Sequence, residues 1–294
     1  MGAVKTARRL AGLGILLVCL APVISAGTGL APADAPGSAP PDASALSSRT
    51  ASETLARHFS SPNISYLLYD AQEGRFIAQK WREPAQPVPV GSLIKPFTAL
   101  AYAETHNFRF PEHVCVGGNS CWLPKGHGRL GIVRAIALSC NSYFTSLASN
   151  TGEGQVTSVA QRFGLNGPGV NASPEAMAGR FGVWREAPER LVRAYAMLLG
   201  RRLQPAIRDI VDGMAESAKA GTAAGLSRQG LHQEFLAKTG TAPCTHSGHA
   251  PGDGFVMVAW PADFPRYFLL VRQHGVPGAL AAALAGRMLR TLEP

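Results

Sequence analysis

The stretch FLAKTGTAP (Phe235–Pro243), followed by DGFVMVAWPADFPRYFLLV (Asp253–Val271), decides the fold of this chain. It holds three runs of strand length: Phe235 to Thr241, Phe255 to Trp260 and Tyr267 to Arg272. The last two flank the turn Pro261-Ala-Asp-Phe-Pro265, and connections this short return a chain to an antiparallel neighbour. Gly278 to Leu292 then repeats apolar residues at helical spacing. Two further strands stand early in the chain, Ile64 to Tyr69 and Arg75 to Gln79, around Asp70-Ala-Gln-Glu-Gly74. Between the two strand-rich ends lies a helical middle: Leu93 to Thr105, Val133 to Asn150 with a break near Ser139, Glu189 to Leu199, and Ile207 to Lys219. Strands at both ends and helices between them predict an α+β fold.

The N-terminus has a different composition. Lys5, Arg8 and Arg9 precede an uncharged apolar run, Leu10 to Leu20, and Ser25-Ala26 supplies small residues for cleavage. The run is shorter than the roughly 20 residues that span a bilayer, so residues 1–26 are expected to be an export signal. Without cleavage the same segment would anchor the chain outside the cytoplasm. Residues 27–52 are mostly Ala, Pro, Ser and Gly, a composition expected to form a disordered tether. Residues 53–294 contain no second low-complexity break and are expected to form one catalytic domain. Export excludes nucleotide cofactors and places the four remaining cysteines where disulfides persist. Cys115 and Cys121 either bridge or remain two small buried hydrophobes. The net charge of +9 falls to +6 once Lys5, Arg8 and Arg9 are removed, leaving 25 basic against 19 acidic residues. That surplus suits an anionic envelope, and the lack of a basic run interleaved with aromatics argues against nucleic acid.

Three short strings carry the chemistry: Ser92-Leu-Ile-Lys95, Ser139-Cys-Asn141 and Lys238-Thr-Gly240. S-x-x-K, S-x-N and K-T-G in this order describe an acylating serine with a lysine base, a proton-handling pair and a strand that grips a carboxylated peptide. Ser92 is expected at a helix start, near unpaired backbone N–H groups, with Lys95 one turn later on the same face. Pro96 within that helix points to a specialised start. Ser139 and Asn141 can share a pocket only if a loop interrupts the helix between them. On a strand, Lys238 and Gly240 share one face, and Gly240 leaves that face bare for a substrate backbone. Lys238 is expected to bring positive charge beside the nucleophile. The backbone N–H groups of Thr241 and Ser92 would form an oxyanion hole.

The segments PVPVGSLIKP, GHGRLGIVRAIALSCNSYF, GMAESAKAGTAAGLSRQGL, FLAKTGTAP and DGFVMVAWPADFPRYFLLV resemble the transpeptidase domain of class B penicillin-binding proteins, the elongation type above all. The resemblance runs from about Asn63 to the C-terminus in the family's order. It implies a five-stranded antiparallel sheet flanked by helices, an all-helical subdomain, and an active site between them. It also implies an acyl-enzyme formed on Ser92 from a D-alanyl-D-alanine peptide of peptidoglycan, with Lys95 as base and Ser139 and Asn141 as relay and substrate holders. Lys238, Thr239, Gly240 and Thr241 would hold the substrate's carboxylate and backbone. The acyl group would pass to an amine of a second stem peptide, β-lactams would inhibit by acylating Ser92, and envelope proteins are possible partners. No cofactor and no metal are implied.

Some features depart from the family. No N-terminal domain is expected between the tether and the catalytic core, and Asn141 to Lys238 is short, a separation of 97 positions. Where the family often has Gly-Gln-Gly and Thr-Pro, this chain reads Arg180-Phe-Gly-Val-Trp-Arg-Glu-Ala-Pro188. A D,D-carboxypeptidase or a class D-like β-lactamase is the alternative enzyme, and a non-catalytic sensor or scaffold for β-lactams or muropeptides is the alternative outside catalysis. Asn141 stands where class D enzymes carry a hydrophobic residue. Glu175, Glu186 and Glu189 lie in the sector of a class A deacylating glutamate without its local motif. Cys244, His246 and His249 have metal-like spacing but read as a polar hairpin loop, and His127 is assigned no role.

Overall fold

Alternation along the strands builds two cores, one on each side of a sheet. In the run Asp253–Trp260, Phe255, Met257 and Ala259 face one core, and Val256, Val258 and Trp260 face the other. Both faces are covered, which is why this run reads as continuously apolar instead of alternating with polar residues. The computed structural model describes residues 47–244 and 252–293. The expected export signal, the tether as far as residue 46, and His246 and His249 lie outside the described residues.

In chain order the elements are α1 (Ser48–His58), β1 (Ile64–Asp70), β2 (Arg75–Lys80), β3 (Val88–Pro89), a 3-10 turn (Gly91–Ile94), α2 (Lys95–Thr105), β4 (His113–Cys115) and β5 (Gly128–Leu130). There follow α3 (Ile132–Ala137), α4 (Asn141–Ser149), α5 (Glu153–Arg162), α6 (Pro174–Met177), β6 (Arg185–Glu186), α7 (Pro188–Leu199) and α8 (Pro205–Lys219). The chain closes with β7 (Leu236–Ala242), β8 (Asp253–Trp260), β9 (Tyr267–His274) and α9 (Gly278–Leu292). The main sheet has five strands in the order β2-β1-β9-β8-β7, and every pairing is antiparallel. The α+β architecture with a five-stranded antiparallel sheet is therefore as expected, with β7, the K-T-G strand, at one edge. Two small ribbons, β3 with β6 and β4 with β5, were not legible in the sequence.

One face of the sheet is covered by α1 and α9, through Ala51, Leu55, Ala281, Ala285 and Leu289. The other packs against the helical body, with Phe97, Phe144, Tyr195 and Met214 in its core. The tether boundary needs correction, because α1 begins at Ser48, inside the stretch expected to be disordered to residue 52. The Ser47 hydroxyl accepts from the Thr50 N–H at 3.5 Å as N-cap, and Ala51 and Leu55, one turn apart, are buried against the sheet. A two-residue apolar pair is too weak a periodic signal to stand out in low-complexity sequence.

Candidate active site

The site is built where an irregular turn is pressed against the edge strand β7. Gly91 has φ +58°, and a Cβ there would stand 2.3 Å from the Thr241 carbonyl oxygen. Only glycine allows this approach. Ser92 lies in the 3-10 turn, not in the α-helix expected from Leu93, and in a 3-10 turn residues three apart eclipse, which stacks Lys95 beneath Ser92. Lys95 opens α2, so Pro96 occupies the first turn, where its missing N–H costs no ladder bond. The buried Tyr195 hydroxyl donates to the Leu93 carbonyl at 2.6 Å and ties the turn to α7.

Lys95 is fully buried. Its Nζ donates to the Ser139 carbonyl at 2.7 Å, to Asn141 Oδ1 at 2.7 Å and to Ser139 Oγ at 3.3 Å. This convergence is possible because α3 stops at Ala137 and α4 starts at Asn141, with Ser139 between them at φ +51°. Lys238, also fully buried, donates to the same Ser139 Oγ at 2.8 Å and to the Thr239 carbonyl at 2.9 Å. Ser92, Ser139, Asn141, Thr239, Gly240 and Thr241 line one cavity of about 400 Å³. The structure thus brings together all eight residues singled out in the sequence: six on the cavity wall, and the two lysines behind it.

Burial sets the electrostatics. It pushes Lys95 down to about 7, so the amine is available as a base near neutral pH. Burial likewise holds Lys238 well below the usual lysine range, and the charge of Lys95 adds to the effect. Two ammonium groups sharing one hydroxyl in a desolvated site disfavour each other. The expectation for Gly240 needs correction. Its missing side chain leaves room for the Val90 carbonyl, which a Cβ would meet at 2.8 Å, so the bare face accommodates the serine turn.

Sequence reading missed several cavity residues. Thr222 accepts a hydrogen bond from the Thr239 hydroxyl at 2.6 Å, while Trp122 and Phe181 form exposed aromatic walls. Thr222 lies in the quoted segment GMAESAKAGTAAGLSRQGL, where a threonine three positions after the end of an amphipathic helix carried no signal by itself. Gly179 is required for packing, since a Cβ there would stand 2.4 Å from the Gly91 carbonyl.

Behind the loop, Cys115, Cys121, His127 and Cys140 place their ligand atoms within 4.8 Å of one another. Of the two alternatives left open for Cys115 and Cys121, the structure has the unbridged one: both thiols are free and buried. Among the described residues, these four form one of two groups whose ligand atoms are close enough to hold a metal ion, where none was expected. Of the Cys244, His246 and His249 trio, only Cys244 is described, and it stands with Asp253 and His274.

At the level of sequence the chain matches no protein-family model and no curated protein. Its fold is similar to that of Pseudomonas aeruginosa PBP2 in complex with WCK 5153, with TM-score 0.67 and 15% identity over 82% of this chain and 72% of that one. It is similar to Helicobacter pylori PBP2 in complex with MreC, with TM-score 0.67 and 16% identity over 82% and 62% of the two chains. It is also similar to Mycobacterium tuberculosis penicillin-binding protein A as a ceftriaxone acyl-enzyme, with TM-score 0.64 and 15% identity over 84% and 78%. The chain therefore has the fold of penicillin-binding protein transpeptidase domains.

Proposed function

We propose that this chain is a penicillin-binding serine acyltransferase, a D,D-transpeptidase acting on D-Ala-D-Ala peptides of peptidoglycan through an acyl-enzyme on Ser92. The observation that carries the reading is the buried Lys95 amine, held by Ser139 and Asn141 one eclipsed turn below Ser92, with its pKa brought to about 7. Neutral Lys95 takes the proton of the Ser92 hydroxyl as it attacks the peptide carbonyl. The N–H groups of Ser92 and Thr241 receive the oxyanion. Ser139, bonded to both lysines, passes a proton toward the departing D-alanine. The edge position of β7 lets the substrate backbone add as a strand, with Thr239, Thr241 and Lys238 near its carboxylate.

A β-lactamase reading is disfavoured by what the acidic residues do. Glu186 is buried, and its carboxylate accepts from Asn166 N–H, Gly167 N–H and Trp184 Nε1. None of Glu175, Glu186 and Glu189 lines the cavity, so no glutamate there is placed to activate a deacylating water. Export to the periplasm and envelope-protein partners belong to the same reading. Among the described residues, no helix is long and apolar enough to cross a membrane.

Fluorescent penicillin should label the protein covalently and stably, and Ser92→Ala should abolish the label. No labelling of the unsubstituted chain at high probe concentration would overturn the reading. Product analysis with a D-alanyl-D-alanine pentapeptide, with and without an amine acceptor, separates transfer from D,D-carboxypeptidase hydrolysis.

A further inference from the structure

A groove of about 880 Å³ takes no part in the acyl-transfer chemistry. It lies at one end of the main sheet, between the ends of β1, β2 and β9 and the β3–β6 ribbon. Four cations line it, Lys80, Arg82, Arg185 and Arg272, against a single acid, Glu83. Among the described residues none of the four forms an ion pair. Lys80 Nζ donates to the backbone carbonyls of Phe59, at 3.2 Å, and of Ser61, and Arg185 Nη2 donates to the Pro87 carbonyl at 3.1 Å. Arg82 and Arg185 are exposed.

Arg272 is the built part of this groove. Its guanidinium lies 4.5 Å from the centre of the Trp81 ring, and its Nη2 donates to Ser65 Oγ at 3.0 Å. Its Nε is shut off from solvent and has no hydrogen-bond partner. Burial pulls its pKa below the usual arginine range, and Asp253 offsets only part of that shift. Oδ1 of Asp253 is engaged by His274 Nδ1 at 2.8 Å. A desolvated guanidinium with no carboxylate against it is costly, and an incoming anion offsets the cost.

The groove is placed beside the reaction cavity. β3 runs from Val88, in the groove wall, toward Ser92, in the cavity wall. Thr241 lines the cavity and Ile64 the groove, and both stand in one row of the sheet: Thr241 pairs with Gly254, Gly254 with Gln273, and Gln273 with Ile64. Three strand spacings separate them by about 14 Å, the length of about four extended residues. A peptide-bearing polymer that presents one peptide to Ser92 therefore has reach to the groove as well. A lipid surface carries similar charge but is disfavoured by where the chain enters. Ser48 opens α1 beside Arg75, at the start of β2, whereas Lys80 and the groove are at the end of β2.

We propose that this groove is a second binding site, separate from the reaction cavity, in which Lys80, Arg82, Arg185 and Arg272 hold the free carboxylates of a peptidoglycan stem peptide. The choice of peptidoglycan as the anionic polymer rests on the acyl-transfer reading.

The probe is a disaccharide-tripeptide fragment of peptidoglycan, which keeps its carboxylates but lacks the D-alanyl-D-alanine unit. Calorimetry follows its binding to the full chain, before and after acylation with benzylpenicillin. Saturable binding that is unchanged by acylation is expected. The double variant Arg82→Glu, Arg185→Glu should weaken it about ten-fold or more, and so should a probe whose carboxylates are converted to carboxamides. Arg49→Glu, on exposed α1, should bind as the unsubstituted chain, and all variants should label with fluorescent penicillin at the unsubstituted rate. Absence of binding, loss of binding on acylation, indifference to the double charge reversal, or tighter binding to phosphatidylglycerol vesicles than to the fragment each overturns the site. If the unsubstituted chain does not label with penicillin, the acyl-transfer reading fails, and the fragment's binding and its loss in the double variant still decide for or against the groove.

Discussion

Ser139 is shared between two buried lysines, and that sharing sets how the site responds to pH. Lys95 releases its proton near pH 7 in the folded chain but near 10.5 when unfolded, so between these values the unfolded state binds more protons. Stability therefore rises with pH across that window, and below it the native state carries the full cost of a buried charge. The same shift makes Lys95 a base only above about pH 7. The second-order rate of acylation by a β-lactam should rise through an apparent pKa of about 7 and then level off. A rate that stays flat from about pH 6 to about pH 9 would remove Lys95 from the role of base. Residue identities were fully legible here from the three strings. The lowered pKa of Lys238 was not, because it depends on burial and on a neighbour 143 positions earlier in the chain.

At the scale of elements, the serine turn and β7 are locked backbone to backbone. Gly91→Ala should cost about 3 kcal/mol or more and abolish penicillin labelling, because the new methyl collides with a carbonyl and φ is positive. Gly74→Ala is the control: φ is +68°, but no atom stands within 4 Å, so about 1 kcal/mol is expected. Denaturant midpoints of the two variants check the contrast, and equal losses would mean that the contact with β7 is not what demands glycine. The strands β1, β2, β7, β8 and β9 and the helices α7, α8 and α9 were legible to within two residues, because each has a full periodic run. The helices α1, α5 and α6 and the two-stranded ribbons were not, since they are short or weakly periodic and are held by contacts with distant elements.

For the molecule as a whole, one buried ion pair ties the first hairpin to the last. Asp70, at the end of β1, accepts from Arg266 Nη2 at 2.8 Å, and the two side chains are 2% and 19% exposed. Burial alone would raise the Asp70 carboxyl, but Arg266 and the N–H groups of Gln72 and Glu73 outweigh it and hold the pKa below the usual range. Its stabilising contribution is thus complete above the unfolded carboxylate pKa and is lost as pH falls through the lower folded value. Asp70→Asn should cost about 3 kcal/mol at neutral pH and shrink the acid limb of the stability curve, measured by thermal unfolding against pH. An unchanged acid limb would assign acid sensitivity to other carboxylates.

By itself the sequence determined the fold class, the edge strand that carries K-T-G and the eight residues gathered at the site, because these are written in local periodicity and in short strings whose spacing is covalent. Only the tertiary structure decided what those residues meet: that Ser92 rides a 3-10 turn, that Gly240 makes room for that turn, that both lysines are desolvated on one hydroxyl, and that Cys115, Cys121 and His127 converge on Cys140. Each of these depends on burial and on contacts between segments far apart in the chain, which no local pattern encodes.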